Sequence, residues 1–246
     1  MFRAIKVRLY PNKEQEQELN KVLGAYRFVY NHMLAKRQSA YEADKTTLSV
    51  FDLQKWFHGT LLKDEQYPWL KEQNTRVMRH AIKQMDDAYQ NFFKQHSGYP
   101  KFKSKKDKQS AFFTRDEISI RNTFETKHIT LIKSLKNLKF RCSDLYHNRL
   151  KKYRDKIRSA TLSKTKSGNF FLSILIDIPE SDLVKFEKTN KQVGLDLGVK
   201  DFVITSDGAV FENKHFFKKE EAKIARLHRQ LSRKVKGSNN RDKQRV

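Results

Sequence analysis

One stretch, residues 193–199 (VGLDLGV), constrains the fold of this chain more than any other. Val and Leu alternate there with Gly194, Asp196 and Gly198, and such alternation predicts a β-strand. One face of the strand is apolar, and the other carries a single carboxylate between two glycines. Because glycine leaves room for close approach to the backbone, a phosphate with a hydrated metal ion fits beside Asp196.

Two more strands are predicted directly after it. Residues 201–206 (DFVITS) form the second, Asp207-Gly208 predicts a tight type I′ hairpin turn, and residues 209–211 begin the third. A strand, a hairpin and a further strand, with an acid in the middle of the first, resemble the opening of an RNase H-like (RuvC-type) nuclease domain. Asp196 as a turn or edge-strand aspartate is the alternative, and the three-strand context favours the functional interpretation.

Positive charge dominates the composition. The 246 residues include 52 Lys and Arg against 28 Asp and Glu, a formal net charge of +24 that is spread along the chain. This excess favours nucleic acid as the partner, and a ribosome-like or merely soluble basic protein is the alternative. An apolar fraction of 37% with 18 Phe supports a buried core and excludes a disordered polycation.

The single cysteine, Cys142, excludes an intrachain disulfide and a cysteine-rich zinc site. The eight histidines show no metal-binding spacing. The longest apolar run, which starts at Phe170, is too short to span a membrane, and the N-terminus lacks a signal-peptide layout. We therefore expect a cytoplasmic protein with no zinc and no membrane partner.

A strand and three helices are predicted in the first hundred residues. Residues 2–10 alternate, so that one face of the strand is apolar and the other is basic and aromatic. The basic face carries Lys6, Arg8 and Tyr10. Apolar residues at helical spacing predict helices over 13–44, 49–61 and 68–95, with Phe51 and Phe93 among the core positions.

Two further segments are candidate nucleic-acid contacts. The third helix carries Arg76, Arg79, His80 and Lys83 on its polar face, although a charged helix face is just as often only solvated. In the basic loop 97–108, lysines can neutralise phosphates and aromatic rings can stack on bases. The candidates in this loop are Tyr99, Lys101, Lys103, Lys105 and Lys106. A disordered linker is the alternative for the second half of the loop.

The remainder before the last domain is predicted to be mainly β. Short alternating runs that include Ile118 and Ile120 precede a hairpin whose strands are 157–163 and 170–178. A polar linker follows over 181–190. After the three strands of the last domain, a basic amphipathic helix is predicted over 218–236 and a charged tail after it.

Several of these stretches together resemble the TnpB family, transposon-encoded RNA-guided DNA endonucleases that are related to type V CRISPR effectors. They occur in the order of the family and cover nearly the whole chain. The similar segments are 6–11 (KVRLYP), 27–31 (RFVYN), 86–93 (DDAYQNFF), 98–104 (GYPKFKS), the hairpin at Ser167-Gly168 and 193–202 (VGLDLGVKDF). Each is short, and their combination is specific.

The resemblance implies an α+β fold with three parts. A split, wedge-like β-barrel domain is expected over 1–12 and 97–188, a helical recognition insert over 13–96, and the N-terminal part of an RNase H-like (RuvC) α/β domain over 189–246. The implied partners are a guide RNA and a double-stranded DNA target with a short adjacent motif, in a bacterial or archaeal cytoplasm. Asp196 matches the first catalytic, Mg²⁺-binding carboxylate of the family.

The chain departs from the family at the metal site. Two-metal hydrolysis needs several convergent carboxylates, and the family supplies a glutamate, another aspartate and a four-cysteine zinc ribbon downstream, none of which has a match here. Asp201, Asp207 and Glu212 do not match those motifs. We therefore expect RNA-guided DNA binding without cutting and no tightly held Mg²⁺. The alternatives are a fragment of an active endonuclease and a non-guided, basic RNA-binding protein.

Overall fold

The computed structural model describes residues 1–119, 125–182, 189 and 191–245, and the chain divides into two compact units, Met1–Leu183 and Val184–Val246. Both contain helices and strands, as the α+β expectation requires. The predicted strand position Ile120, most of the predicted linker 181–190 and the domain boundary at 188 lie outside the described residues. Within those residues, no helix is long and apolar enough to cross a membrane.

The first unit is built on a six-stranded antiparallel sheet that curls into a half-barrel, with the strand order β2-β5-β6-β1-β4-β3. Its strands are β1 (Phe2–Leu9), β2 (Gln109–Thr114), β3 (His128–Ile129), β4 (Leu138–Arg141), β5 (Ile157–Lys164) and β6 (Phe170–Asp177). The predicted alternation is confirmed in β1, where Ile5, Val7 and Leu9 are buried in the core and the residues between them are exposed.

The helices of this unit are α1 (Lys13–Asp44), α2 (Val50–Gly59), α3 (Thr75–Phe93) and α4 (Asp144–Lys152). The predicted bounds of α1 are confirmed. Asn12 caps it, because its side chain accepts from the Gln15 N–H while the Gln15 side chain accepts from the Asn12 N–H. Lys45 ends it with φ +62°, in the left-handed region that closes many helices.

The third helix begins later than predicted. Residues Pro68–Glu72 form a separate 3-10 turn, and α3 starts where the Asn74 side chain accepts from the N–H groups of Arg76 and Val77 at 3.0 and 3.3 Å. Two predicted core positions are wrong, since Phe51 and Phe93 are 75% and 66% exposed. Phe92 is half-buried, and the rest of the predicted apolar stripe of α3 is buried: Val77, Met78, Ala81, Ile82, Met85 and Tyr89.

The second unit contains the sheet β7-β8-β9 and two helices. Its elements are β7 (Leu195–Asp196), β8 (Asp201–Thr205), β9 (Val210–Glu212), α5 (Phe216–Ser232) and α6 (Asn239–Arg245). The strand predicted over 193–199 is therefore only two residues long. The chain bends after it at Val199 and Lys200, and a Cβ atom on Gly198 would lie 2.9 Å from the Asp201 carbonyl oxygen.

Two other expectations for this unit are wrong. Only Gly208 of the Asp207-Gly208 pair has a positive φ, +86°, and a type I′ turn needs both. The hairpin is instead closed by hydrogen bonds between Thr205 and Ala209 around a three-residue loop. Helix α6 forms where a charged tail was predicted. None of the described side chains of this unit is buried.

A buried ion pair joins α1 to α3. Arg37 Nη1 donates to Asp86 Oδ1 at 2.7 Å, and the two side chains are only 9% and 12% exposed. The guanidinium also lies 4.4 Å from the centre of the Tyr89 ring, a favourable cation–π geometry. The pair therefore links the two long helices at one fixed position along their contact.

We predict that Asp86→Ala lowers the free energy of unfolding by about 3–5 kcal/mol, because it leaves a buried charge without its partner. Chemical denaturation followed by circular dichroism measures this. The double variant Arg37→Met/Asp86→Leu removes both charges and should recover most of the loss. A double variant as unstable as Asp86→Ala would show that packing around the pair, and not the lone charge, sets the cost.

Candidate nucleic-acid interface

The polar face of α3 lines a cleft of about 450 Å³. The other walls come from α2 and from the segment that follows β2. The lining residues are Gln54, Arg76, Arg79, His80, Lys83, Thr114, Asp116 and Glu117. The cleft thus brings together three predicted residues, Arg76, Arg79 and Lys83, all of them exposed.

The position of the cleft follows from the amphipathic pattern of α3. Its apolar stripe packs into the core against α1, so the opposite face points away from α1. A 3-10 turn, Arg115–Glu117, follows β2 and supplies the facing wall. Residues from three separate segments therefore meet at one place, with cations from the helix and polar groups from the turn.

His80 and Glu117 form the most buried polar contact of the cleft. His80 Nε2 lies 3.1 and 3.2 Å from the two carboxylate oxygens of Glu117, and the Thr114 N–H donates to Glu117 Oε2 at 2.8 Å. The Glu117 side chain is only 3% exposed. Burial alone would raise the pKa of Glu117, but the bonds from His80 and Thr114 hold it below its ordinary value.

The sequence places His80 on the polar face of α3 without selecting it as a site residue, and it gives no indication of Glu117. A histidine there carries no signal of its own. The Thr114-x-x-Glu117 spacing is a capping-box pattern and could have located the 3-10 turn. It could not have shown that Glu117 also reaches a helix that lies 37 residues earlier in the chain.

Lys83 has a partner on its own helix. Its ammonium bonds to the Asp87 carboxylate one turn further on, and this hydrogen bond raises the pKa of the lysine. The pair is exposed, so Lys83 stays charged and within reach of a ligand in the cleft. Part of its charge is nevertheless balanced by Asp87, which leaves Arg76 and Arg79 as the dominant cations.

A second basic surface lies on the outer face of the sheet. Lys6 Nζ lies 4.7 Å from the ring centre of Phe171. The guanidinium groups of Arg8 and Arg141 lie 5.1 and 4.7 Å from the ring centre of Tyr10. The predicted trio Lys6, Arg8 and Tyr10 is thus gathered on one surface with Arg141, which the sequence analysis did not select.

The basic loop 97–108 is fixed to α1 at its centre. Asn31 binds the backbone of Lys103 twice, since its Oδ1 accepts from the Lys103 N–H at 2.8 Å and its Nδ2 donates to the Lys103 carbonyl at 2.9 Å. The Tyr99 hydroxyl contacts that of Tyr89 at 3.1 Å. These bonds order the loop around its central residue.

The lysines of the loop are not equivalent. Lys103 is half-buried, with its ammonium 3.8 Å from the ring centre of Tyr30 and bonded to Gln84, and burial lowers its pKa to about 8. Lys101, Lys105 and Lys106 are exposed. The structure therefore places Lys103 in the support of the loop and its neighbours on the surface.

Asp196 lies on β7 opposite Ile204 and is exposed. Asp201 is paired in register with Glu212 across β8 and β9, and neither of them is the strand partner of Asp196. In the described part of the chain, no three His, Cys, Asp or Glu side chains gather where they could hold a metal ion. These residues do not fit a two-metal site, which requires several convergent carboxylates.

Two family models match the chain: a helix-turn-helix domain of the IS605 OrfB proteins over residues 1–46, and a probable transposase of the same proteins over 173–246. Two curated proteins named "Putative RNA-guided DNA endonuclease" match 99% of this chain. InsQ of Escherichia coli (strain K12) is 33% identical over 243 residues, and the protein of Streptomyces pristinaespiralis is 32% identical over 248 residues. The chain belongs to the TnpB family.

This TnpB chain spans a little more than half the length of those two relatives, 57% and 58%. It also matches the Virulence protein VsdF of Salmonella dublin, with 34% identity over 117 residues, which are 44% of this chain and 98% of that protein. A chain in the solved structure of the Cas12f1–sgRNA–target DNA complex is similar to this protein, with 13% sequence identity and a TM-score of 0.34. The match covers 95% of this protein and 62% of the chain in that complex.

The helix-turn-helix match covers β1 and α1 of the TnpB chain. Residues 1–46 form one strand and one continuous helix here, and the next helix, α2, begins at Val50 just beyond the match. The probable-transposase match extends from the middle of β6 over the whole second unit, including Asp196.

We predict that neutralising Lys101, Lys105 and Lys106 to Gln flattens the salt dependence of RNA binding. The log–log slope of affinity against salt should fall in magnitude by roughly 2 to 3, at about 0.7–0.9 for each lost phosphate contact. Lys103→Gln is the matched control and should leave the slope unchanged, since its ammonium lies over Tyr30. An unchanged slope in the triple variant would show that the loop is only solvated.

Proposed function

We propose that residues 1–246 are the RNA-guided DNA-binding part of a TnpB protein. The observation that carries this proposal is the cleft in which Arg76, Arg79 and Lys83 meet polar side chains from two other segments. We further propose that the first unit is a split, wedge-like barrel with an inserted helical recognition domain, and that the second unit is the N-terminal part of a RuvC-like domain.

The cleft suits the short motif beside a double-stranded DNA target. Arginine presents a planar fork of donors that pairs with guanine in the major groove, whereas a lysine acts as a point charge on a phosphate. Arg76 and Arg79 are one helical turn apart on α3, so they reach the same groove. We assign base reading to Arg79 and phosphate contacts to Arg76 and Lys83.

The outer face of the sheet and the exposed part of the basic loop suit the guide RNA. Arg8, Arg141 and Tyr10 form a cation–aromatic group that neutralises phosphates and offers a stacking surface for an unpaired base. Lys101, Lys105 and Lys106 extend the positive charge. We also propose that the complex forms in a bacterial or archaeal cytoplasm, where its DNA and RNA partners are present.

Binding without cutting is proposed for residues 1–246 taken alone. A lone carboxylate such as Asp196 holds hydrated Mg²⁺ weakly, because this ion gives up its water reluctantly. The second candidate function is a part of an active, Mg²⁺-dependent DNA endonuclease. It is favoured by the names of the two relatives and by the 57% and 58% of their lengths that the chain spans.

We predict that Arg79→Ala weakens binding of guide-matched DNA by about 1–3 kcal/mol and relaxes the sequence preference at one position of the adjacent motif. Competition binding with duplexes that differ only in that motif measures both effects. Lys21→Ala, on the exposed side of α1, is the control and should change neither. Equal weakening on every duplex would make Arg79 a phosphate contact, and no weakening would remove it from the site.

The proposed function is tested by guided binding itself. Residues 1–246 with RNA should shift a duplex that matches the guide and not one with a scrambled target, and Asp196→Ala should bind equally well. With Mg²⁺ present, we expect no cleavage product on a denaturing gel. Equal binding to both duplexes would favour a non-guided RNA-binding protein. Cleavage that depends on Asp196 would favour the endonuclease.

A further inference from the structure

We propose that His80 reads a base edge of the DNA through Nδ1, and that Glu117 is the positioning residue that fixes the tautomer of its ring. This inference rests on the proposed function, since it names what the cleft recognises. The geometry points to it because His80 lines the cleft with one nitrogen already engaged. Nε2 faces both oxygens of Glu117, and no hydrogen bond to Nδ1 is present within the described part of the chain.

The carboxylate decides which nitrogen carries the proton. An ionised carboxylate only accepts hydrogen bonds, so the atom that faces it must be an N–H. Glu117 is ionised at neutral pH, because its bonds to His80 and Thr114 keep its pKa low. In the neutral imidazole, Nδ1 is then an acceptor. The hydrogen bond made by one ring nitrogen generally decides the protonation of the other in this way.

The ring is also held in place sterically. It packs edge-on against Phe112, with ring centres 5.3 Å apart and an angle of 85° between the planes. Glu117 itself is fixed, because the same carboxylate accepts from the Thr114 N–H at 2.8 Å. The side chain of His80 is still 23% exposed, so the ring remains accessible from the cleft.

An acceptor at this position selects a particular class of base. The cations Arg76, Arg79 and Lys83 are donors and match the acceptors of guanine, of thymine and of phosphates. The N6 amine of adenine and the N4 amine of cytosine are the donors that the major groove offers. His80 Nδ1 accepts from such an amine, so the preferred motif carries adenine or cytosine at the position beside it.

The first test uses the protein without nucleic acid. Two-dimensional ¹⁵N spectra of the imidazole groups distinguish the two neutral tautomers, and His80 should show a protonated Nε2 and an unprotonated Nδ1. In Glu117→Gln the carboxylate is gone and the other tautomer should become populated. Glu72→Gln removes an exposed carboxylate that is not among the residues lining the cleft, and it should leave the spectrum of His80 unchanged. The Nδ1–H tautomer in the unaltered protein would overturn the inference while leaving guided binding intact.

The second test measures base preference in the complex with guide RNA. A guide-matched duplex with randomised flanking sequence is bound, and the bound fraction is sequenced. His80→Ala should reduce the preference for adenine or cytosine at one position by about three- to ten-fold, the size of one hydrogen bond. Glu117→Gln should reduce the same preference, and should add nothing in the His80→Ala background, because it acts through His80.

Thermal unfolding shows which variants are folded, and the double variant keeps the test valid where Glu117→Gln loses stability. Independent, additive effects of the two substitutions would overturn the positioning role. An effect of Glu72→Gln equal to that of Glu117→Gln would also overturn the positioning role, because it would assign the change to charge alone. Loss of the preference in Arg79→Ala with none in His80→Ala would overturn the inference and leave the proposed function standing. Absence of guided binding in the unaltered protein would overturn both.

Discussion

The packing of α3 against α1 is the constraint on which the first unit depends. The apolar stripe of α3 supplies the area of the contact, and the buried pair of Arg37 and Asp86 sets its register. Two charges out of water are tolerated only when they meet with good geometry, so the helices cannot slide past each other without a large cost. That fixed register also determines where the polar face of α3 lies.

The candidate interface follows from that arrangement. One side of α3 belongs to the core, and the other lines the cleft with residues from α2 and from the turn after β2. The buried carboxylate of Glu117 joins this turn to α3 through His80, so that hydrogen bonds hold two walls of the cleft together. Donors and acceptors that are held in place before a ligand arrives lose little entropy when it binds.

The second unit has the opposite character. Its strands carry Asp196, yet none of its described side chains is buried. In the described part of the chain, no three His, Cys, Asp or Glu side chains gather where they could hold a metal ion. Hydrolysis by two metal ions needs a preorganised set of ligands. The basic surfaces of the first unit are assembled from its own residues, and the proposed function is therefore built on that unit.

The sequence by itself determined the elements whose signals are local. The bounds of α1, the alternation of β1 and the basic character of the loop follow from periodicity, caps and charge. The predicted start of α3 was too early, because Asn74 rather than Pro68 caps the helix. The predicted strand around Asp196 was too long, because the chain bends directly after Gly198. Only the tertiary structure decided which charged residues lie close together. The fold places the Lys103 ammonium over the Tyr30 ring and brings Glu117 into contact with His80. Burial and long-range pairing of this kind depend on packing between segments that are distant in the chain.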